Sequence, residues 1–507
     1  MAENEFTKEF MSFVQQKGFV WGPSPEIYGG MAGFYTYGPL GKLLKQNIEQ
    51  AIRHIFYSND FWEVECPTVM QKEVWEASGH LGGFTDPMVK CTKCKAAFRA
   101  DTLIKEHFPN VDAVDFKKDQ DLLDFIKQNN IVCSSCKSHF EDKIIKHNLM
   151  MKTTIGVDTE AYNRPETATT TYLPFLRYHD FFRKKFPFGV FQIGKAFRNE
   201  ISPRQHLLRC REFTQAEGQM FIFSKQKNEF EKFEKVKNNK LPFWSYQSQE
   251  QKKEPVWMTI EDALKNKSIK SQAYAWTLNL AFELFIGIGI PKEKIRLRQH
   301  HLDEKAFYAD DAWDVEIELK TFGWTECCGI HDRTDYDLKQ HEAKSGTPLK
   351  VPEGEGGQQV YPHILEIAFG TDRPTFAILD LFYQPADKGE GKPIFKVPYK
   401  IAPVKAAVFP LMKKDGHPEY AQKVYNLISK KYVAKYDESG TVGRRYLRED
   451  EAGTPFCITI DYDSLKNNDV TIRDRDSGKQ IRVKEDKLLF VLDDLLSGTK
   501  FETYSKI

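Results

Sequence analysis

Apolar residues at Leu44, Ile48, Ile52 and Ile55 recur at three- and four-residue spacing through GKLLKQNIEQAIRHIFY, which predicts one long amphipathic helix over 41–57. FWEVECPTVM (61–70), aromatic, β-branched and closed by Pro67, predicts a strand. GVFQIGKAFRNE (189–200) and RCREFTQAEGQMFIF (209–223) run apolar or alternating on either side of ISPRQHLL, the pattern of an antiparallel hairpin with a charged loop. Further β-rich stretches lie at 312–330 and 361–379. Beyond VPYKIAP the texture becomes short strand, helix, strand in KAAVFPLM, PEYAQKVYNLISKKY, FCITID and DVTIRDRDSGKQIRV, so a separate α/β domain is expected behind a proline-containing linker near 398–403. Two stretches break these periods. Residues 91–148 are rich in Lys and Asp and bracketed by cysteines, as in an insertion, and the highly charged run from 224 to about 270 reads as a second, solvated one.

Length sets the scale of this pattern. A chain of 507 residues exceeds what one hydrophobic core supports, so two to four domains are expected. Its 73 basic and 72 acidic residues leave a net charge of +1, which excludes an indiscriminate polyanion binder and confines any nucleic-acid surface to a local patch. No apolar run approaches the length of a membrane span. Together with nine cysteines and the acidic start MAENEF, this predicts a soluble protein of a reducing compartment, the cytoplasm, without membrane contact.

The cysteines carry the first chemical signal. CTKC (Cys91, Cys94) and CSSC (Cys133, Cys136) are two C-x-x-C knuckles, and two such pairs can close a tetrahedral thiolate site around zinc. Four thiolates leave no open position, so the metal would be structural. Cys66, Cys210, Cys327, Cys328 and Cys457 lack such spacing and read as core or pocket residues.

The second signal is the hairpin. Residues two apart on a strand share a face, which aligns Arg198 with Glu200, and Arg209 and Arg211 with Phe213 and Glu217. A row of guanidinium, carboxylate and aromatic groups suits a nucleotide: arginine forks match phosphate oxygens, an aromatic face stacks on a purine, and a carboxylate accepts from amino groups. A salt-bridged surface hairpin is the alternative.

FRNEISPRQHLLRCREFTQAE resembles the second signature motif of the class II aminoacyl-tRNA synthetases, in its glycyl form. The helix and strand ending at Pro67 resemble the first signature, which in that class lies at the dimer interface, and FGTDRPTFAILDLFY resembles the third. GFVWGPSPEIYGGMAGFYTYGPLG, RPETA (164–168) and GWTECCGIHDRTDYDL are similar to glycyl-type segments, while GRRYLREDEAGTPFCITID with VTIRDRDSGKQ resembles the anticodon-binding domain shared with the histidyl, threonyl and prolyl enzymes. The chain departs from the usual family text at Thr169, where a Gln normally follows RPETA, and at Ile367-Ala368, where Pro-Ser or a near relative is usual.

The resemblance implies an α+β fold: a class II antiparallel sheet with flanking helices, a zinc-ribbon-like insertion and a C-terminal α/β anticodon-binding domain. It divides the chain into catalytic core at 1–90, 149–223 and 296–397, a cysteine-rich insertion at 91–148, a charged insertion at 224–295 and an anticodon-binding domain at 398–507. It implies glycine activation by ATP as substrate with Mg²⁺, transfer to tRNA(Gly), and a homodimer. The carried-over catalytic residues are Arg198 on the α-phosphate, Glu200 at the adenine or metal-bound phosphates, and Arg373, which with Arg209 would hold the outer phosphates. Phe213 would lie beneath the adenine and Glu326 on the metal side, with Arg333 nearby; Asn199, Leu208, Cys210, Arg211, Glu212, Cys327 and Gly370 complete the ATP set. For glycine the implied residues are Glu166, Glu217 and Glu366 on the ammonium, with Arg99, Phe213, Thr214, Gln215, Ala216, Ala368 and Gly370 around them. A class II enzyme for another small amino acid or proline, and a non-catalytic module on the same scaffold, are the alternatives.

Overall fold

The computed structural model describes residues 5–504 apart from 109–110, 112–115, 117, 202, 204, 303, 307, 355 and 387–391. The 41–57 periodicity becomes the helix Pro39–Ser58, opened by proline in its first turn and burying Leu44, Ile48, Ile52 and Phe56 along one stripe. A Cβ at Gly41 would lie 1.8 Å from the Phe19 carbonyl oxygen, so this glycine is what lets the preceding segment cross the helix.

That helix lies on a nine-stranded sheet. In spatial order its strands are Val256–Thr259, Lys240–Trp244, Ile295–Gln299, Ala312–Leu319, Gly323–Thr334, His363–Gly370, Glu212–Ile222, Phe188–Phe197 and Phe61–Glu63. The middle strands pair antiparallel; 61–63 joins 188–197, and 240–244 joins 295–299, in parallel. One face is covered by Pro39–Ser58, by the apolar helix Gln272–Gly287 and by Asp372–Phe382. The Ser271 side chain caps the second of these by accepting from the Tyr274 N–H, and Phe285 meets Phe369 of the sheet at 5.5 Å between ring centroids.

Two sequence expectations change here. The 61–70 strand divides: Phe61–Glu63 stays in the main sheet, and Val69–Gln71 joins a small sheet with 159–163. Pro67 has no N–H for the ladder, and the buried Arg164 takes the Cys66 carbonyl (2.9 Å) at the break. The charged stretch 224–295 is also no solvated appendage, since it supplies two strands to the main sheet and the helix Gln272–Gly287, and buries Leu241, Phe243, Ile260 and Ala263. Lysines and glutamates between these positions masked the pattern.

The cysteine-rich segment folds around the strand Thr85–Lys90, flanked by Ala97–Arg99 and Ile145–Asn148, with Leu103, Ile104, Leu122, Leu123 and Ile126 of its two helices forming a separate small core. At the C-terminus a five-stranded sheet runs Ala434–Tyr436, Ala406–Pro410, Phe456–Ile460, Asp469–Asp474, Gln480–Lys484. This domain meets the rest through Lys17–Glu451 (2.5 Å), Asn47 to the Ala402 carbonyl (2.9 Å), and the buried Arg475 guanidinium on the Val397 carbonyl (2.8 Å). Among the described residues no helix is long and apolar enough to cross a membrane.

Candidate active site

On the face of the sheet opposite the helices, three neighbouring strands form the floor of a cleft. Side chains alternate along a strand, so 213, 215 and 217 of one strand, 366, 368 and 370 of the next, and 327, 329, 331 and 333 of the third all face the cleft. Register fixes the rows: Gly329 lies opposite Ala368 and Ala368 opposite Glu217, while His331 lies opposite Glu366 and Glu366 opposite Gln219. The Gly329–Ala368 row is the low point of the floor.

Carboxylates gather at this low point. Glu217 is 1% exposed and accepts from the Thr167 hydroxyl (2.5 Å) and the Gln215 amide (2.6 Å), with no cation on it among the described residues. Burial, together with the charges of Glu366 and Glu166, pushes its carboxyl well above the usual range. Glu366 is also buried, but the Arg333 guanidinium and the His331 ring outweigh that burial and hold it down at about 2. Its oxygens receive Arg333 (3.2 Å), Tyr172 (3.2 Å) and Gln219 (3.2 Å), and His331 Nδ1 lies at 3.2 Å. Glu166 sits 3.5 Å from His80 Nε2 and accepts from the Thr169 hydroxyl (3.1 Å); against the opposing effect of burial, His80, Arg333 and Arg198 keep it well below the ordinary carboxylate range. Thr169, the departure from the family text, thus supplies a hydroxyl to this acid.

Arginines gather at the other end. The strands Phe188–Phe197 and Glu212–Ile222 form the expected hairpin, although the return strand starts at Glu212, after a 3₁₀ turn at His206–Leu208. Arg198 anchors Nε on the Pro165 carbonyl (3.0 Å), and its guanidinium lies 5.4 Å from the ring centroids of both Phe213 and Phe84. Arg209 pairs with Glu200 at 2.7 Å, and Arg373 with Glu326 at 3.0 Å while also holding the Leu208 carbonyl. Two arginines thus face the cleft with counter-ions from their own chain.

The cleft brings together Glu166, Arg198, Glu200, Leu208, Arg209, Cys210, Phe213, Gln215, Glu217, Glu326, Cys327, Glu366, Ala368, Gly370 and Arg373. Other expected residues lie elsewhere. Glu212, Thr214 and Ala216 occupy the alternate positions of their strand: Glu212 pairs with Lys195 (2.9 Å), Thr214 accepts from Lys45 (2.9 Å), and Ala216 is in the core under the sheet. Arg211, expected beside Arg209, spends its guanidinium on the carbonyls of Ala32, Glu200 and Ile201 and so braces the loop. Asn199 ties that loop to the cysteine-rich segment, its N–H on the Leu149 carbonyl and its carbonyl 2.8 Å from His147 Nε2. Arg99 is held by Asp86 (3.1 Å) and Asp101 (2.5 Å) beside a separate small cavity that Glu200 and Arg209 also line. Sequence reasoning missed His80, Tyr308, Gly329 and His331. Alternation through GIHDR offered a signal for the last two, but the register irregularity between 315/328 and 316/326 sets which face they take.

In the cysteine-rich segment Cys91, Cys94, Cys133 and Cys136 converge, all four sulfurs within 4.8 Å of one another. Cys91 Sγ is 3.4 Å from Cys136 Sγ, and Cys94 Sγ is 3.6 Å from Cys133 Sγ. Tetrahedral zinc with bonds of about 2.3 Å needs sulfurs about 3.8 Å apart, which this cluster nearly meets. Hydrogen bonds from the Ser138 backbone and side chain draw the Cys136 thiol down to about 6, towards the thiolate a metal requires.

Comparison with known proteins agrees with this geometry. A family model described as an anticodon binding domain matches residues 405–495. A solved prolyl-tRNA synthetase from Cryptosporidium parvum shares the fold, with a TM-score of 0.59 at 14% identity over 97% of this chain and 78% of that one. The glycine–tRNA ligase of Methanococcus maripaludis strain C6 is 38% identical over 96% of this chain and 99% of its own. Those of Pyrococcus horikoshii (36%, over 97% and 99%) and Methanocaldococcus jannaschii (37%, over 97% and 100%) are similar to the same extent. With relatives of this identity matched over nearly the whole of both chains, on a class II synthetase fold, the chain belongs to the glycine–tRNA ligase family.

Proposed function

We propose that the protein joins glycine to the 3′ end of tRNA(Gly) in two steps, and the observation that carries this is the separation of buried glutamates and paired arginines to opposite ends of one cleft. Glycine offers an ammonium, a carboxylate and two hydrogens. Its ammonium belongs among Glu166, Glu217 and Glu366; Glu366 is paired with Arg333, while among the described residues Glu217 receives only the neutral Thr167 and Gln215. The adenine stacks on Phe213, and Arg198 takes the α-phosphate, with Arg209 and Arg373 on the outer phosphates.

Attack of the glycine carboxylate on the α-phosphorus forms glycyl-adenylate and expels pyrophosphate. Negative charge grows on the phosphoryl oxygens in that step, and a fixed guanidinium stabilises it without a protein nucleophile. Phosphates compete with Glu200 and Glu326 for Arg209 and Arg373, freeing both carboxylates. Glu200 and Glu326 are the residues that would then hold Mg²⁺, which when bound would supply positive charge to the phosphates. A ribose hydroxyl at the tRNA terminus then attacks the glycyl carbonyl, and AMP leaves.

The four clustered cysteines hold a structural zinc ion that orders the 91–148 segment, and the C-terminal domain reads the anticodon. The exposed Trp62 (55%) and Phe181 (63%), stacked edge to face beside the outermost strand, support a homodimer formed on that edge. Nine unbridged cysteines favour the cytoplasm. Glycine-dependent exchange of pyrophosphate into ATP, run beside alanine, serine and proline, tests the reaction. Exchange with glycine supports it, and exchange with proline but not glycine overturns it.

A further inference from the structure

The floor of the cleft is lowest where a side chain is least welcome. Gly329 and Ala368 lie side by side across a strand pair, next to Glu217, and two residues so small would leave a hollow able to take a methyl or hydroxymethyl group. Yet the space over Gly329 is filled. A Cβ built there would come within 2.7 Å of His331 Cε1, 3.5 Å of Nε2 and 3.6 Å of Nδ1, so the imidazole is folded back across the glycine. Gly329 does not adopt the left-handed backbone conformation, so glycine serves here to make room for the ring. The ring is fixed from two sides: Nδ1 lies 3.2 Å from Glu366 Oε2, and the His300 ring stands almost perpendicular to it at 5.8 Å, itself held by Asp314 at 2.8 Å.

We propose that His331 is a specificity-determining residue, its imidazole occupying the space into which the side chain of any amino acid larger than glycine would extend. The inference rests on the assignment of Glu166, Glu217 and Glu366 to the ammonium, which puts the α-carbon above the Gly329–Ala368 row. A floor that only repels a methyl by shape separates two substrates by a modest factor, so a ring anchored on the Glu366 carboxylate is the better barrier. A role confined to orienting Glu366 is distinguishable, since it would affect all amino acids alike.

The test is pyrophosphate exchange with glycine, alanine and serine in the full-length protein. His331→Ala should lower the glycine-over-alanine ratio of kcat/KM by about 10–100-fold. Adding Gly329→Ala to His331→Ala puts a methyl back in the vacated space and should restore part of the ratio. His331→Asn, whose amide can still reach Glu366 while leaving the space over Gly329 open, should lower the ratio as well, and it serves if the alanine variant does not fold. Equal losses for glycine and alanine in either single variant, with the ratio unchanged, would overturn the proposal. A wild-type protein with no glycine-dependent exchange would instead remove the reading on which it stands.

Discussion

The two ends of the cleft solve opposite electrostatic problems in opposite ways. At the arginine end two of the cations that await a phosphate are provisionally neutralised, Arg209 by Glu200 and Arg373 by Glu326, while Arg198 rests on the Pro165 carbonyl and the rings of Phe213 and Phe84. At the glutamate end Glu366 is paired with Arg333 and Glu166 lies beside His80, whereas among the described residues Glu217 has only the neutral donors Thr167 and Gln215, and its carboxyl is held well above the usual range. A ligand at the first end displaces an internal ion pair. At the second end it supplies the missing cation. Arg209, Arg373 and Glu366 thus have a partner in the cleft before a substrate arrives, and a bound glycine would supply one to Glu217.

Substitutions at each end should separate these solutions. Arg198→Ala has the largest expected effect, a loss of about 3–4 kcal/mol of transition-state stabilisation by analogy with a lost oxyanion donor, read as a fall of about 10²–10³-fold in exchange kcat. Removing one partner of a buried charge pair costs about 3–5 kcal/mol, so Glu217→Gln should lower kcat/KM for glycine by about 10²-fold or more while the KM for ATP stays near wild type. A change confined to ATP would move Glu217 out of the amino-acid end. Cys133→Ser should remove stoichiometric zinc, measured by metal analysis, and open the 91–148 segment to protease, with a smaller loss in adenylate formation because Asn199 and His147 link that segment to the motif 2 loop.

The smallest effect has the reverse sign. Glu217's carboxyl is raised in the folded state, so the native protein holds a proton that the unfolded chain releases above its ordinary carboxyl pKa, and Glu217 costs stability increasingly as pH rises. Glu217→Gln should therefore melt higher than wild type by about 1–2 °C at pH 8, with the gap closing towards pH 4.5.

Much of this was legible in the sequence because strand alternation and charge act locally. The hairpin, the long helix and the cysteine knuckles follow from spacing over a few residues, whereas most cleft residues were expected only from the resemblance to the synthetase family. What escaped needed partners distant in the chain. The 61–70 strand broke because Arg164 takes the Cys66 carbonyl, and 224–295 proved to be part of the sheet because its apolar positions are thinly spread among lysines. Arg211 shares a sequence row with Arg209, yet the carbonyls of Ala32 and Ile201 claim it. His331 became visible only when the register set its ring over Gly329.

The most direct test of the comparison is the proton released when the missing cation arrives. Glycine should be titrated calorimetrically into the protein holding a non-hydrolysable ATP analogue, at pH 7, in two buffers of different ionisation enthalpy. Glycine binding to the wild type should release a proton as Glu217 ionises against the ammonium, glycine affinity should rise with pH, and Glu217→Gln should abolish both. Binding with no proton released in the wild type, or with the same release in the glutamine variant, would contradict it.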